Sequence, residues 1–159
     1  MKPTLRFLVS DPAHFIALGF GSGLMPKGPG TAGTLVGWLL FPFVRAPLSD
    51  PLFGGLLLAS FLFGILACER TGRALGVADH GGIVWDEIVA IWLVLWFTPP
   101  TLAWQATAFV LFRFFDIVKP QPIRWVDERT RGGVGVMFDD LLAAGYTLLV
   151  LALLVRLIA

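Results

Sequence analysis

Charged residues are scarce in this chain of 159 residues. Asp, Glu, Lys and Arg make up 14% of it, against about 25% in soluble domains. Apolar residues reach 57%, and the mean hydropathy is +0.81. Such a chain has too little polar surface to cover itself in water, which favours a membrane protein. The net charge of +1 argues against a nucleic-acid partner, which would require a clearly basic face.

Several catalytic signatures are missing as well. Cys68 is the single cysteine, so no intrachain disulfide can form. Four residues separate it from Arg73 and it ends an apolar segment, which disfavours a phosphate-cradling thiolate. No Gly-x-Ser-x-Gly elbow is present, and the glycine-rich segment 25–34 lacks the Lys-Ser/Thr of a Walker A loop. Among phosphate-ester chemistries, these absences leave metal-activated water as the simplest nucleophile.

Apolar segments alternate along the chain with polar or Pro/Gly-rich stretches. None has the period of a strand, and open sheet edges are not viable in lipid. We therefore predict an all-α integral membrane bundle of about five hydrophobic helices, with residues 1–159 as a single domain. Residues 1–25 are expected to form an interfacial or partly buried helix that ends in a glycine-rich turn. The five segments are approximately 35–44, 52–68, 83–97, 102–115 and 136–159.

A zigzag of these five helices would place alternate loops on opposite sides. Loops 25–34, 69–82 and 116–135, with the adjoining helix ends, receive ten of the twelve Lys/Arg residues. An excess of Lys/Arg marks the cytoplasmic side of a membrane protein. The pattern therefore predicts a one-sided active site that faces the cytoplasm. Three of the segments are short for full spans of about 20 residues, so shallow or partly embedded helices are an alternative.

The largest polar stretch covers residues 113–140 and reads RFFDIVKPQPIRWVDERTRGGVGVMFDD. Arg113 and Asp116 share a helix face at i, i+3, and Lys119 and Arg124 follow closely. Cations beside a metal site suggest an anionic oxygen ligand, most simply a phosphate. The alternative is that Arg113 and Asp116 form a structural pair.

Two pairs of adjacent acids, Asp86–Glu87 and Asp139–Asp140, are predicted at the starts of helices. Adjacent helical residues are about 100° apart, so both members reach one site only from an exposed helix end. Several carboxylates with no Cys and few His are the ligand set for a hard cation such as Mg²⁺. The alternative is that these acids pair with nearby Arg side chains.

Two loops carry further polar residues. The loop MPKGPGTAGT, residues 25–34, could present backbone N–H groups to a phosphate at a helix N-terminus, or could be a plain turn. Thr31 or Thr34 could cap the helix that follows. The pair Asp79-His80 offers a general acid or base, although a structural hydrogen bond is an alternative for His80.

The chain resembles the phosphatidylglycerophosphatase A family, bacterial membrane enzymes that remove the terminal phosphate of phosphatidylglycerol phosphate. The resemblance covers about residues 19–145 and rests on GFGSGLMPKGPGTAGT, DHGGIVWDE and FRFFDIVKPQPIRWVDERTRGGVGVMFDD, in that order. It implies one domain of this family over residues 1–159. It also implies a Mg²⁺-dependent activity at the cytoplasmic face of the inner membrane, in anionic phospholipid synthesis.

Two other functions are alternatives to this family. A small transporter or ion-conducting protein could use the acids as a cation path, but it would need acids spread through the span. A phosphoalcohol transferase would need a spaced Asp-Gly signature, which is missing.

We predict three groups of site residues from the family resemblance. Mg²⁺ would be held by Asp86, Glu87, Asp139 and Asp140, the phosphate by Lys27, Thr31, Arg113, Lys119 and Arg124, and the transferred protons by Asp116, Asp79 or His80.

Overall fold

The computed structural model describes residues 1–158 of the chain. Within that range it contains α-helices and one 3₁₀ helix and no β-strand, so the prediction of an all-α fold is confirmed. The helices are α1 (Leu5–Leu8), α2 (Pro12–Ala17), the 3₁₀ helix (Gly19–Leu24), α3 (Pro29–Arg45), α4 (Asp50–Leu75), α5 (Trp85–Trp96), α6 (Leu102–Val118), α7 (Ile123–Arg129) and α8 (Gly132–Ile158).

The five predicted apolar segments overlap with the five longest helices, α3, α4, α5, α6 and α8. Among residues 1–158, only α4 and α8 are both long and apolar enough to cross a membrane. At 1.5 Å per residue each is about 40 Å long, which exceeds a hydrocarbon core of about 30 Å. Both helices also expose leucine side chains on their outer faces, as lipid contact requires. The number of crossing helices stays a prediction.

Helix α5 is the buried centre of the bundle. Its residues 88–95 are apolar on every side and mostly buried, and α3, α4 and α8 pack around it. The indole N–H groups of Trp85 and Trp92 donate to the backbone carbonyls of Ser60 and Gly37, at 3.0 and 2.8 Å. Buried indole donors need such partners, and these two bonds fix the rotation of α5. The two acids in its first turn are thereby held in place.

Helix α8 begins earlier than the sequence pattern indicates. We predicted its start near Val136, but it begins at Gly132, and the pair Asp139–Asp140 therefore lies about two turns inside the helix. A glycine in its first turn allows close packing against α4. A Cβ on Gly133 would lie 1.9 Å from the carbonyl oxygen of Ile65 in α4. The prediction that this acid pair starts a helix was wrong for that reason.

Helix α4 also extends beyond its predicted end. It continues past Cys68 to Leu75, so that the first part of the predicted loop 69–82 is helical. It ends at Gly76, whose φ of 75° is a left-handed conformation that glycine adopts without strain. The connection from α4 to α5 is therefore shorter than expected, and it carries Asp79-His80.

Helix α3 begins at Pro29, before either threonine that was expected to cap it. Proline suits the first helical position because its missing N–H has no partner there in any helix. Gly28 is the N-cap, and no side chain caps the helix. The capping prediction for Thr31 and Thr34 was wrong, since both lie inside the helix.

The N-terminal segment forms two short helices and the 3₁₀ helix instead of the single helix expected. Asp11 caps the N-terminus of α2, where its carboxylate accepts the N–H of Ala13 at 2.9 Å. Two contacts tie α2 to α4: His14 Nδ1 lies 2.9 Å from Thr71 Oγ1, and Arg70 Nε donates to Asp11 at 2.8 Å. The N-terminal segment is thus packed onto the polar end of α4.

Candidate active site

Three carboxylates from two helices converge in the interior of the bundle. Asp86 and Glu87 lie in the first turn of α5, and Asp140 projects from α8. One oxygen from each lies within 4.8 Å of the other two. The three residues are 8%, 8% and 2% exposed. We call Asp86, Glu87 and Asp140 the carboxylate cluster.

The carboxylate cluster lacks hydrogen-bond donors. Within residues 1–158, Asp86 Oδ1, Glu87 Oε2 and Asp140 Oδ2 are buried and have no hydrogen-bond partner. A buried carboxylate without a partner costs several kcal/mol, and three of them also repel one another. A cation among these oxygens would remove both costs. An all-oxygen donor set suits a hard divalent cation, so the residues present fit Mg²⁺.

Asp139 does not join the carboxylate cluster. It accepts a hydrogen bond from Lys119 Nζ, which also donates to Asp127 at 3.0 Å. Adjacent residues of a helix point about 100° apart, and inside a packed helix only Asp140 faces α5. The structure therefore gives no support for Asp139 as a metal ligand, and it places Lys119 between two acids.

Lys119 is held firmly in this ion pair network. Burial lowers the pKa of Lys119, but the hydrogen bonds and negative charges of Asp139 and Asp127 outweigh burial and raise the pKa above its ordinary value. The ammonium is therefore charged at every physiological pH. It links the turn after α6 to α7 and α8.

Arg113 reaches the carboxylate cluster from α6. Its Nη1 donates to Asp116 at 2.6 Å, lies 3.6 Å from Glu87 Oε1 and is 3.4 Å from the hydroxyl of Thr34. Arg113 and Asp116 share one helix face, as their spacing indicates, and they form the structural pair that was weighed as the alternative to phosphate binding. The contact with Glu87 adds a cation beside the carboxylates, and Arg113 Nε is buried without an acceptor among the described residues.

The N-terminus of α3 lies against Glu87 and Arg113. A Cβ on Gly30 would be 2.3 Å from Glu87 Oε1 and 3.0 Å from Arg113 Nη2, so a larger residue here would displace the ends of these two side chains. Thr34 is fully buried and donates its hydroxyl to the Gly30 carbonyl at 2.8 Å. The first N–H groups of a helix have no internal partner and favour anions. The N-terminus of α3 thus faces the region next to Arg113 and Glu87.

Three predicted phosphate ligands are exposed at the edge of this region. Lys27 lies in the turn before α3, Thr31 lies in the first turn of α3, and Arg124 lies in α7. Arg124 Nη2 donates to the carbonyl of Val118 at 3.4 Å. None of the three is in hydrogen-bond contact with the carboxylate cluster within residues 1–158. Their roles in phosphate binding stay predictions.

Asp79 and His80 lie in the connection from α4 to α5. His80 Nδ1 accepts the backbone N–H of Gly82 at 3.0 Å, which is the structural hydrogen bond weighed as its alternative. In the neutral ring Nε2 then carries the proton. Asp79 is exposed on one side, yet protein atoms around its carboxylate raise its pKa, against the opposing charge of Lys119.

Sequence reasoning missed three parts of this arrangement: Gly30, Thr34 and Asp127. Asp127 lies eight residues after Lys119 in the same polar stretch, and that opposite charge was a usable signal. Gly30 and Thr34 lie in the segment that was expected to contact a phosphate, but their contacts with Glu87 and Arg113 depend on how α3 packs against α5 and α6.

Known proteins resemble this chain over most of its length. The family model for phosphatidylglycerophosphatase A matches residues 15–155. A phosphatidylglycerophosphatase A from Haemophilus influenzae is 44% identical over 94% of this chain and 92% of its own length. The Escherichia coli protein of the same name is 43% identical over 87% of this chain and 80% of its own length.

A third relative carries a different name. A Bacteroides thetaiotaomicron protein, provisionally named a phosphatidylinositol-3-phosphatase, is 40% identical over 86% of this chain and 89% of its own length. No solved structure matches the chain. The family model and the two phosphatidylglycerophosphatase A relatives agree over nearly the whole chain. The chain therefore belongs to the phosphatidylglycerophosphatase A family.

Proposed function

We propose that this protein hydrolyses the terminal phosphate of phosphatidylglycerol phosphate at a membrane surface, with Mg²⁺ held by Asp86, Glu87 and Asp140. The observation that carries the proposal is the carboxylate cluster itself. Each member has a buried oxygen without a partner, and one oxygen from each lies within 4.8 Å of the other two. The family membership and the names of the two relatives support the reaction and the substrate.

Binding of the phosphate would use the groups around the carboxylate cluster. A bound Mg²⁺ would supply Lewis-acid stabilisation of the charge on a phosphate oxygen. Arg113 has a free buried N–H, and the N-terminus of α3 adds backbone donors beside it. Lys27, Thr31 and Arg124 stand at the exposed edge, where they can meet the phosphate or the glycerol part of the headgroup.

The reaction needs two proton transfers. Hydrolysis forms a P–O bond to the water oxygen and breaks the P–O bond to the glycerol oxygen, so that water loses a proton and the glycerol oxygen gains one. Asp116, held by Arg113 at 2.6 Å, is our choice for the acceptor. Asp79, whose pKa is raised because nearby protein atoms exclude water from one side of its carboxylate, and His80, with its free Nε2, are the two choices for the donor.

The active-site end would face the cytoplasm in the bacterial inner membrane. Ten of the twelve Lys/Arg residues belong to the loops and helix ends on that side of the bundle, and such an excess marks the cytoplasmic face. A water-soluble product, phosphate, would then be released into the cytoplasm. The lipid product would stay in the bilayer.

The substrate assignment is tested by comparing lipid phosphates in one assay. Purified protein in detergent would be given phosphatidylglycerol phosphate, phosphatidylinositol 3-phosphate or phosphatidic acid, and phosphate release would be measured. The proposal expects the highest kcat/KM for phosphatidylglycerol phosphate. An equal or higher value for the inositol lipid would overturn the substrate assignment. Asp86→Asn, prepared in the same way, controls for contaminating phosphatases.

A further inference from the structure

An apolar groove leads away from the carboxylate cluster between α4, α5 and α8. Its volume is about 280 Å³. The wall from α4 includes Leu57, Leu58 and Phe61, and the wall from α8 includes Leu141. We call this space the α4–α8 groove. It lies between the two helices that are long enough to cross a membrane.

The α4–α8 groove is continuous with the proposed metal site. Asp86 lines one end of it and is also a member of the carboxylate cluster. From there the groove follows α5 through Val89 to Leu93. Seven residues of helix correspond to about 10 Å. One leaflet of hydrocarbon is about 15 Å deep, so the groove covers most of that depth.

The outer side of the α4–α8 groove is open. Leu58 lines it and is 61% exposed, on a helix whose outer face is apolar. In a bilayer this opening would meet lipid. A suitable occupant must be apolar, narrow and linked to a polar group that reaches Asp86. These requirements describe the acyl chain of a phospholipid bound by its headgroup.

We infer that the α4–α8 groove holds the upper part of one acyl chain of the lipid phosphate, and the inference rests on the proposed function. The bilayer already solvates acyl chains, so transfer into the groove adds little hydrophobic free energy. The groove instead orients the lipid, which aligns the phosphate with the carboxylate cluster. The groove therefore affects the turnover of substrates that carry acyl chains, and it has no effect on the turnover of a deacylated headgroup.

Photo-crosslinking tests the position of the chain. The probe is a diacyl phosphatidylglycerol phosphate with a diazirine in the upper part of one acyl chain. Adducts are expected on residues 57–61, 89–93 and 141, and excess unlabelled lipid phosphate should compete. Adducts elsewhere would overturn the inference. Equal competition by phosphatidylcholine would also overturn it, because the groove would then hold membrane lipid in general.

A matched pair of variants tests the effect on turnover. Leu58→Trp fills the mouth of the groove, whereas Leu66→Trp adds the same ring to the same helix outside the groove, at a residue that is 68% exposed. We expect Leu58→Trp to lower kcat/KM for the diacyl substrate about tenfold through misalignment. Leu66→Trp should match the wild type. Equal rates in all three proteins would contradict the inference.

Wild-type phosphate release separates this inference from the proposed function. If the wild type releases phosphate but shows no groove adducts, the groove inference fails and the proposed function stands. If it releases no phosphate from any lipid phosphate, both fail. The rate of hydrolysis of the deacylated headgroup phosphate should be equal in the wild type and Leu58→Trp. If Leu58→Trp instead loses the same fraction of its rate on the diacyl and the deacylated substrate, the effect comes from folding and the groove inference is overturned.

Discussion

At the scale of single residues, the account depends on carboxylates that the protein itself does not neutralise. Asp86, Glu87 and Asp140 bring like charges within 4.8 Å in a buried place. Arg113 is the nearest cation in the described chain, and it is shared with Asp116. When its members are ionised, the carboxylate cluster therefore destabilises the fold unless a further cation binds.

The substitution Asp140→Asn should separate this charge effect from a packing effect. In EDTA the variant should melt at a higher temperature than the wild type, because one of the repelling charges is gone. Mg²⁺ at about 100 times its Kd should stabilise the wild type by about 2.7 kcal/mol, which raises Tm by roughly 5–10 °C. Thermal unfolding in detergent, with EDTA or Mg²⁺, measures both.

The control for that substitution is Asp50→Asn. Asp50 is an exposed acid at the opposite end of α4, where it pairs with Arg45. This variant should keep the full Mg²⁺ shift. If Asp140→Asn keeps it too, Asp140 does not hold the metal.

At the scale of elements, Lys119 connects three parts of the bundle. It ends α6 in a left-handed conformation, with a φ of 47°. Its ammonium binds Asp127 of α7 and Asp139 of α8. Because Asp139 precedes Asp140, this link helps to set the rotation of α8 at the carboxylate cluster.

Breaking the link from one side should cost stability. Lys119→Met leaves Asp139 buried without a partner, and such a loss typically costs about 3–5 kcal/mol. The single variant should also lose activity, since the link helps to set the rotation of α8. The double variant Lys119→Met/Asp139→Asn should recover most of that stability and much of the activity. Urea unfolding and phosphate release measure the two effects. A single variant with normal stability but a raised KM would instead make Lys119 a direct phosphate ligand.

The close packing of α8 on α4 at Gly133 should also make the free energy of unfolding sensitive to substitution there. In Gly133→Ala the new methyl group meets the Ile65 carbonyl at 1.9 Å, and such overpacking costs about 1–3 kcal/mol. Gly145 lies in the same helix with nothing within 4 Å of its added Cβ. Gly145→Ala should therefore be neutral or stabilising by up to about 1 kcal/mol. Equal unfolding free energies for the two variants would contradict the close packing.

Local patterns were predictable, and contacts between distant elements were not. The contact of Arg113 with Asp116 follows from their spacing on one helix, and the sequence was sufficient to offer it as an alternative to phosphate binding. The choice between Asp139 and Asp140 depends on the rotation of α8, which follows from its start at Gly132 and its packing on α4. The approach of Gly30 to Glu87 likewise needs α3 and α5 in place, and no sequence spacing encodes it.

At the scale of the whole molecule, polar chemistry gathers at one end of an apolar bundle. The carboxylate cluster, Arg113, Lys119 and the N-terminus of α3 meet there, while the long helices α4 and α8 extend away. A cation path would need acids along the depth of the bundle, so this arrangement favours surface chemistry over transport. Family membership points the same way.

The most direct test is Mg²⁺-dependent phosphate release from phosphatidylglycerol phosphate by the purified protein. The account predicts that EDTA abolishes release and that added Mg²⁺ restores it in the wild type. Asp86→Asn should stay inactive at every Mg²⁺ concentration while it elutes as a folded protein. Asp139→Asn should keep its response to Mg²⁺. Undiminished release in EDTA, or full activity of Asp86→Asn, would contradict the central claim.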